Sequence, residues 1–117
     1  MSEPVDFREL FGRLGWRPRM FLPDDRFNTA AGFVEGCNVA TGGVLLRGFS
    51  EWVSVRILGH ATNFHWSAVI AAQYRPDGVD ASWDGSSAPA LFHKQSFDEL
   101  IAQLDAFLEH TEDGREL

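Results

Sequence analysis

Val44-Leu45-Leu46-Arg47-Gly48-Phe49-Ser50-Glu51-Trp52-Val53-Ser54-Val55-Arg56-Ile57-Leu58 is the longest strongly apolar stretch of the chain. Gly42 and Gly43 precede it and Gly59 follows it. At helical spacing, Leu45, Phe49, Trp52, Val53, Arg56 and Ile57 share one face, and Arg47, Ser50, Glu51 and Ser54 share the other. Such a stripe has to be covered by neighbouring elements, so residues 44–58 are expected to form the central core helix. Gly48 inside that helix would cost about 1 kcal/mol relative to Ala, and close packing against another element is the expected reason for it. From Val53 onward the residues also alternate, with Val53, Val55 and Ile57 on one side. Residues 52–58 therefore also suit a strand.

The expected fold is mainly α, a single globular domain over residues 1–117 with four to five helices. The alternative is α+β, with a β-hairpin from residues 52–58 and 64–74. Residues 5–14 read as an amphipathic helix with Phe7, Leu10, Phe11 and Leu14 inward, ended by Gly15. Residues 16–23 read as an extended connector, because each proline biases its predecessor away from helix. Residues 29–41 form the next helix, capped by Asp24, Asp25 or Asn28 and joined to the core helix by a very short turn. Residues 64–74 fit both periods, and the alanines favour helix. Residues 79–89 read as a long loop, and residues 90–93 as a short strand or helical turn. Ser96 and Glu99 match a capping box. The helix it opens carries Phe97, Leu100, Ile101, Leu104, Phe107 and Leu108 on one face and ends near Gly114.

The chain has 117 residues, long enough to bury a core without staples. Cys37 is the single cysteine, which excludes an internal disulfide; it reads as a small buried hydrophobe. No run approaches the roughly 20 apolar residues of a membrane span. The opening Met-Ser-Glu-Pro-Val-Asp is acidic where a signal peptide is basic. A cytoplasmic protein without membrane contact is the expectation.

Net charge is −7, and residues 76–117 hold ten acids against Lys94 and Arg115. That excess argues against nucleic-acid binding and allows a protein partner with a basic surface. Arg13, Arg17, Arg19 and Arg26 form a local basic cluster or, more plainly, a solvated face.

No motif fixes a chemistry. His60, His65, His93 and His110 make no metal-ligand spacing, so no metal and no cofactor are expected. There is no nucleophile elbow, phosphate loop or dinucleotide fingerprint. Three readings follow. The first is a non-catalytic acidic binding protein, in the manner of an immunity protein or antitoxin that inhibits a basic enzyme. Its binding residues would be Trp83, an aromatic in a polar loop, with Asp98, Asp105, Glu109 and Glu112. Those acids form one stripe on the last helix, with Asp98 in the first turn and Glu109 and Glu112 at the end where the helix dipole disfavours them. The second reading is a small enzyme or ligand-binding protein with a pocket lined by Glu35, Asn38, Glu51, His60 and His65. The third is an accessory subunit or homo-oligomer that buries Trp83 and the aromatics of residues 16–21.

Overall fold

In the computed structural model, residues 5–77 and 88–114 are described, with side chains through residue 111. Five α-helices and no strands occur among them: α1 (Phe7–Trp16), α2 (Phe27–Ala40), α3 (Phe49–Leu58), α4 (Trp66–Ala72) and α5 (Ala90–Gly114). A 3-10 turn at Pro18–Met20 follows α1. The mainly α reading holds, and the hairpin alternative is excluded by the helices at 49–58 and 66–72. At 25 residues, α5 is the spine: α1, α2, α3 and α4 all pack on it, and α3 also packs on α4. Among the described residues, no helix is long and apolar enough to cross a membrane.

The stretch at 44–58 is only helical from Phe49 onward. Leu45 and Leu46 are buried as expected, but in a loop. Polar side chains replace the helix's own hydrogen bonds there. Asn38 Oδ1 accepts from the Leu46 N–H at 2.9 Å, and Thr41 Oγ1 accepts from the Leu45 N–H at 3.0 Å. Gly48 is the N-cap residue of α3, with φ +83°, and an added Cβ there would meet nothing within 4 Å. Its role is a left-handed backbone rather than close packing. The connection from α2 is accordingly longer than a tight hairpin.

Within α3, Phe49 and Val53 are fully buried, and Trp52 is half-buried. Two residues exchange their expected sides. Ser54 is fully buried and shares a 2.8 Å hydrogen bond with the Thr62 hydroxyl. Arg56 is exposed, its guanidinium 5.0 Å from the Trp52 ring centroid.

Gly15 does not end α1. The helix runs to Trp16 and stops where Pro18 forces Arg17 out of helical geometry. A Cβ on Gly15 would stand 2.9 Å from Ile101 Cγ2 of α5, so the glycine permits a close helix crossing. Helix α2 begins two residues early, and none of Asp24, Asp25 or Asn28 is its N-cap residue; Arg26 is. Asp24 instead accepts from the Arg26 N–H at 2.9 Å. His93 of α5 reaches across and accepts from the Phe27 N–H at 2.9 Å through Nδ1. A side chain distant in sequence thus satisfies one of the free N–H groups of this helix.

Ser96 does not cap α5. The helix starts at Ala90, directly after Pro89, so residues 90–93 are helical and Ser96 lies almost two turns inside. Its hydroxyl is buried with no hydrogen-bond partner among the described residues. Ser96→Ala is therefore expected to stabilise the fold by about 1 kcal/mol, since an unpaired buried hydroxyl is lost and a better helix former gained. Urea unfolding checks it, and a loss of stability would mean that the hydroxyl is satisfied. The expected apolar face of α5 is otherwise in place: Leu100, Leu104, Phe107 and Leu108 are buried, and Phe97 and Ile101 pack against them.

Candidate functional site

A groove of about 730 Å³ lies where the end of α1, the start of α2 and the first turns of α5 meet. Trp16, Leu22 and Phe97 give it an apolar surface, and Asp24, Asp25, Arg26, Lys94 and Asp98 give it charge. Leu22 is buried, whereas Trp16 remains 76% exposed and Met20, beyond it on the 3-10 turn, 70%. Arg17 lays its guanidinium 4.4 Å from the Trp16 ring centroid.

The three carboxylates differ in what already holds them. Asp24 accepts from the Arg26 N–H and the Thr29 hydroxyl, and these bonds hold its carboxyl below the usual carboxylate range. It shapes the loop. Asp25 meets Arg19 at 3.5 Å, and Asp98 meets Lys94 at 2.8 Å; all four side chains are more than half exposed.

Two acids of the expected α5 stripe are engaged with α1. Asp105 takes a 2.8 Å bond from Arg8 Nε of α1, and Glu109 stands 3.4 Å from Arg8 Nη2. Both acids therefore help to fasten α1 to α5. Asp98 is not in the first turn, because the helix starts at Ala90; it faces the groove instead. Trp83 and the side chain of Glu112 lie outside the described residues.

Of the five residues of the alternative pocket, three come together. Asn38 Nδ2 donates to Glu35 Oε1 at 3.2 Å, and His65 Nε2 stands 3.7 Å from Glu35 Oε2. Glu51 and His60 are exposed, and the His60 ring contacts its neighbour's carbonyl. Ser67 Oγ is 2.7 Å from His65 Nδ1, which sets a hydroxyl, an imidazole and a carboxylate in series. The backbone explains this arrangement. His65 is the N-cap residue of α4, and its Nδ1 accepts the Ser67 N–H. The Trp66 N–H goes to Ser50 Oγ, and those of Ala68 and Val69 go to the His65 carbonyl. His65 thus serves as the N-cap of α4.

A further polar chain links α3 and α5 to Tyr74, just beyond the end of α4. Tyr74 donates to Glu99 Oε1, Gln103 donates to Glu99 Oε2, and Arg56 Nε donates to Gln103 Oε1, each at 2.9 Å. Gln103 is buried, so the chain satisfies it. Burial, then the bond to the Glu99 carboxylate, pushes the Tyr74 phenol above its usual range. Tyr74 is the only tyrosine, so phenolate absorbance reads it alone. Its ionisation midpoint is expected above that of free tyrosine, and lower in Glu99→Gln. The unfolded chain releases this proton first, so the stabilisation is complete below the ordinary tyrosine value and fades as pH rises through the folded one. A midpoint at the free value in wild type would remove the contact.

Cys37 is half-buried, and burial pushes its thiol up, away from the thiolate that nucleophilic chemistry needs. Among the described residues, no group of three or more His, Cys, Asp or Glu side chains is placed to hold a metal ion. No protein family, curated protein or solved structure matches the chain.

Proposed function

We propose that this chain is a non-catalytic acidic binding protein whose groove between α1, α2 and α5 receives a segment of a basic protein partner. The observation that carries this reading is Trp16. A large aromatic left 76% exposed beside a groove is the side chain on which binding energy concentrates. The net charge of −7 suits a cationic partner and would speed its approach at low salt. An immunity-type or antitoxin-like inhibitor of a basic enzyme is the form of this reading that the charge favours. Asp25 and Asp98 take the leading part in it, since Asp105 and Glu109 are occupied by Arg8.

The test is photo-cross-linking in the native cell, from a reactive residue at Met20. A basic protein should be captured, and capture should fall in a Trp16→Ala, Asp25→Lys variant. Capture of a second copy of this chain would replace the reading with self-association. No capture, or capture indifferent to the two substitutions, would remove it.

A further inference from the structure

We propose that His93 is a proton-operated latch between α5 and α2. Neutral, its imidazole fastens the start of α2 to α5. Protonated, it lets go of that helix start and loosens the groove wall that leads into it. The device belongs to the fold and stands whether or not the groove takes a partner.

The geometry supplies the switch. The Phe27 N–H donates to His93 Nδ1 at 2.9 Å. A backbone N–H can only donate, so Nδ1 offers a lone pair and the neutral ring carries its proton on Nε2. A proton on Nδ1 takes that lone pair and sets two donors face to face. The bond cannot outlast it. Helix α2 depends on this bond, since its N-cap residue, Arg26, makes no side-chain cap and its first turn holds no acid. Residues 24–26 run directly into Phe27 and line the groove together with His93. The bond is therefore a point at which that wall is tied to α5. The Phe27 ring is buried and keeps the body of α2 in place, so the change is confined to the helix start.

Charge sharpens the switch. His93 lies in the first turn of α5 and against the first turn of α2. Its proton would thus stand at the positive ends of two helix dipoles. Among the described residues, each carboxylate lining the groove already has a partner. Asp24 accepts from the Arg26 N–H and Thr29, Asp25 pairs with Arg19, and Asp98 pairs with Lys94. Arg26 lines the groove as a further cation, and Arg17 lies over Trp16. The α1 residues of the lining, Gly15 and Trp16, carry no charge. His65 is the contrast. It also accepts an N–H through Nδ1, from Ser67 two residues on, but its Nε2 stands 3.7 Å from the Glu35 carboxylate. A proton there gains a partner and frees only a local cap, whereas a proton on His93 undoes a tie between two helices.

The test is NMR of the 15N-labelled full chain from about pH 8 to about pH 5, the range in which imidazoles gain their proton. At the alkaline end, His93 Nδ1 should give the signal of an unprotonated nitrogen. As His93 titrates, the Phe27 amide signal should move with the same midpoint. Its hydrogen exchange, corrected for the intrinsic effect of pH, should quicken about tenfold, the scale of one hydrogen bond. His93→Asn offers an amide oxygen to the same N–H but has no proton to gain, so there the Phe27 signal should stay still. His93→Ala should show the acid behaviour already at the alkaline end. A Phe27 signal that ignores the His93 titration, follows that of His65, or moves equally in His93→Asn would overturn the latch. So would a His93 that takes up no proton across the range. Should His93→Ala fail to fold, wild type and His93→Asn still decide.

Discussion

Replacing Phe49 with alanine should cost about 3–5 kcal/mol of folding stability. Phe49 is fully buried where α3, α4 and α5 meet. Its ring centroid lies 5.5 Å from Trp66 and 5.1 Å from Phe107, both at tilted angles. The substitution removes a buried aromatic, leaves a cavity and ends two aromatic pairings, each of which adds about 0.5–1.5 kcal/mol beyond area burial. Domains of this size hold about 5–15 kcal/mol in all, so the variant should sit near the edge of folding. Half-buried Trp52 supplies the control: Trp52→Ala should cost clearly less, although Trp52 lies in the same helix. Urea titration followed by circular dichroism measures both. A loss below about 1 kcal/mol for Phe49→Ala would place the core elsewhere.

Gly15→Val should cost about 1–3 kcal/mol, the range for overpacking a tight interface. Even one added carbon would approach Ile101 Cγ2 to 2.9 Å. Ile101 is β-branched and packed against the core, so it cannot simply swing aside. Helix propensity acts in the opposite direction, because glycine inside a helix is the poorer residue by roughly 1 kcal/mol relative to Ala. The two effects separate in a double-mutant cycle. In an Ile101→Ala background the overlap disappears, and Gly15→Val should become neutral or stabilising. Equal cost in both backgrounds would show that the α1–α5 crossing does not depend on this glycine.

How much of this was legible in the chain depends on the range of the interaction. The face of α5 from Phe97 to Leu108 could be read because an uninterrupted 3.6-residue period records burial directly. The start of α3 could not. Leu45 and Leu46 are buried and so extend the apolar pattern, but hydrophobicity reports burial and not backbone angle. Gly48, with its left-handed φ, was the signal that the helix begins there. Ser96 and Glu99 match a capping box in spacing alone, while Pro89 marks the true boundary. The groove was invisible for another reason. Its walls come from residues 15–26 and 88–98, and no local period joins segments so far apart. The link from Tyr74 through Glu99 and Gln103 to Arg56 is equally non-local. Only the i, i+4 spacing of Glu99 and Gln103 hinted at it. Of the binding residues expected from sequence, Asp98 borders the groove, whereas Asp105 and Glu109 serve the α1–α5 contact.

That contact has a consequence for the nascent chain. Arg8 and Asp105 are 97 positions apart. Translation proceeds at about 5–20 residues per second, so α1 leaves the ribosome roughly 5–20 s before the surface it packs on exists. During that interval Phe7, Leu10, Phe11 and Leu14 lack the cover that α5 provides. Loop-closure entropy then adds to the delay, since the ends of a long loop must find each other. For that interval α1 is open to capture by a chaperone. A ribosome stalled before residue 90 should present it uncovered.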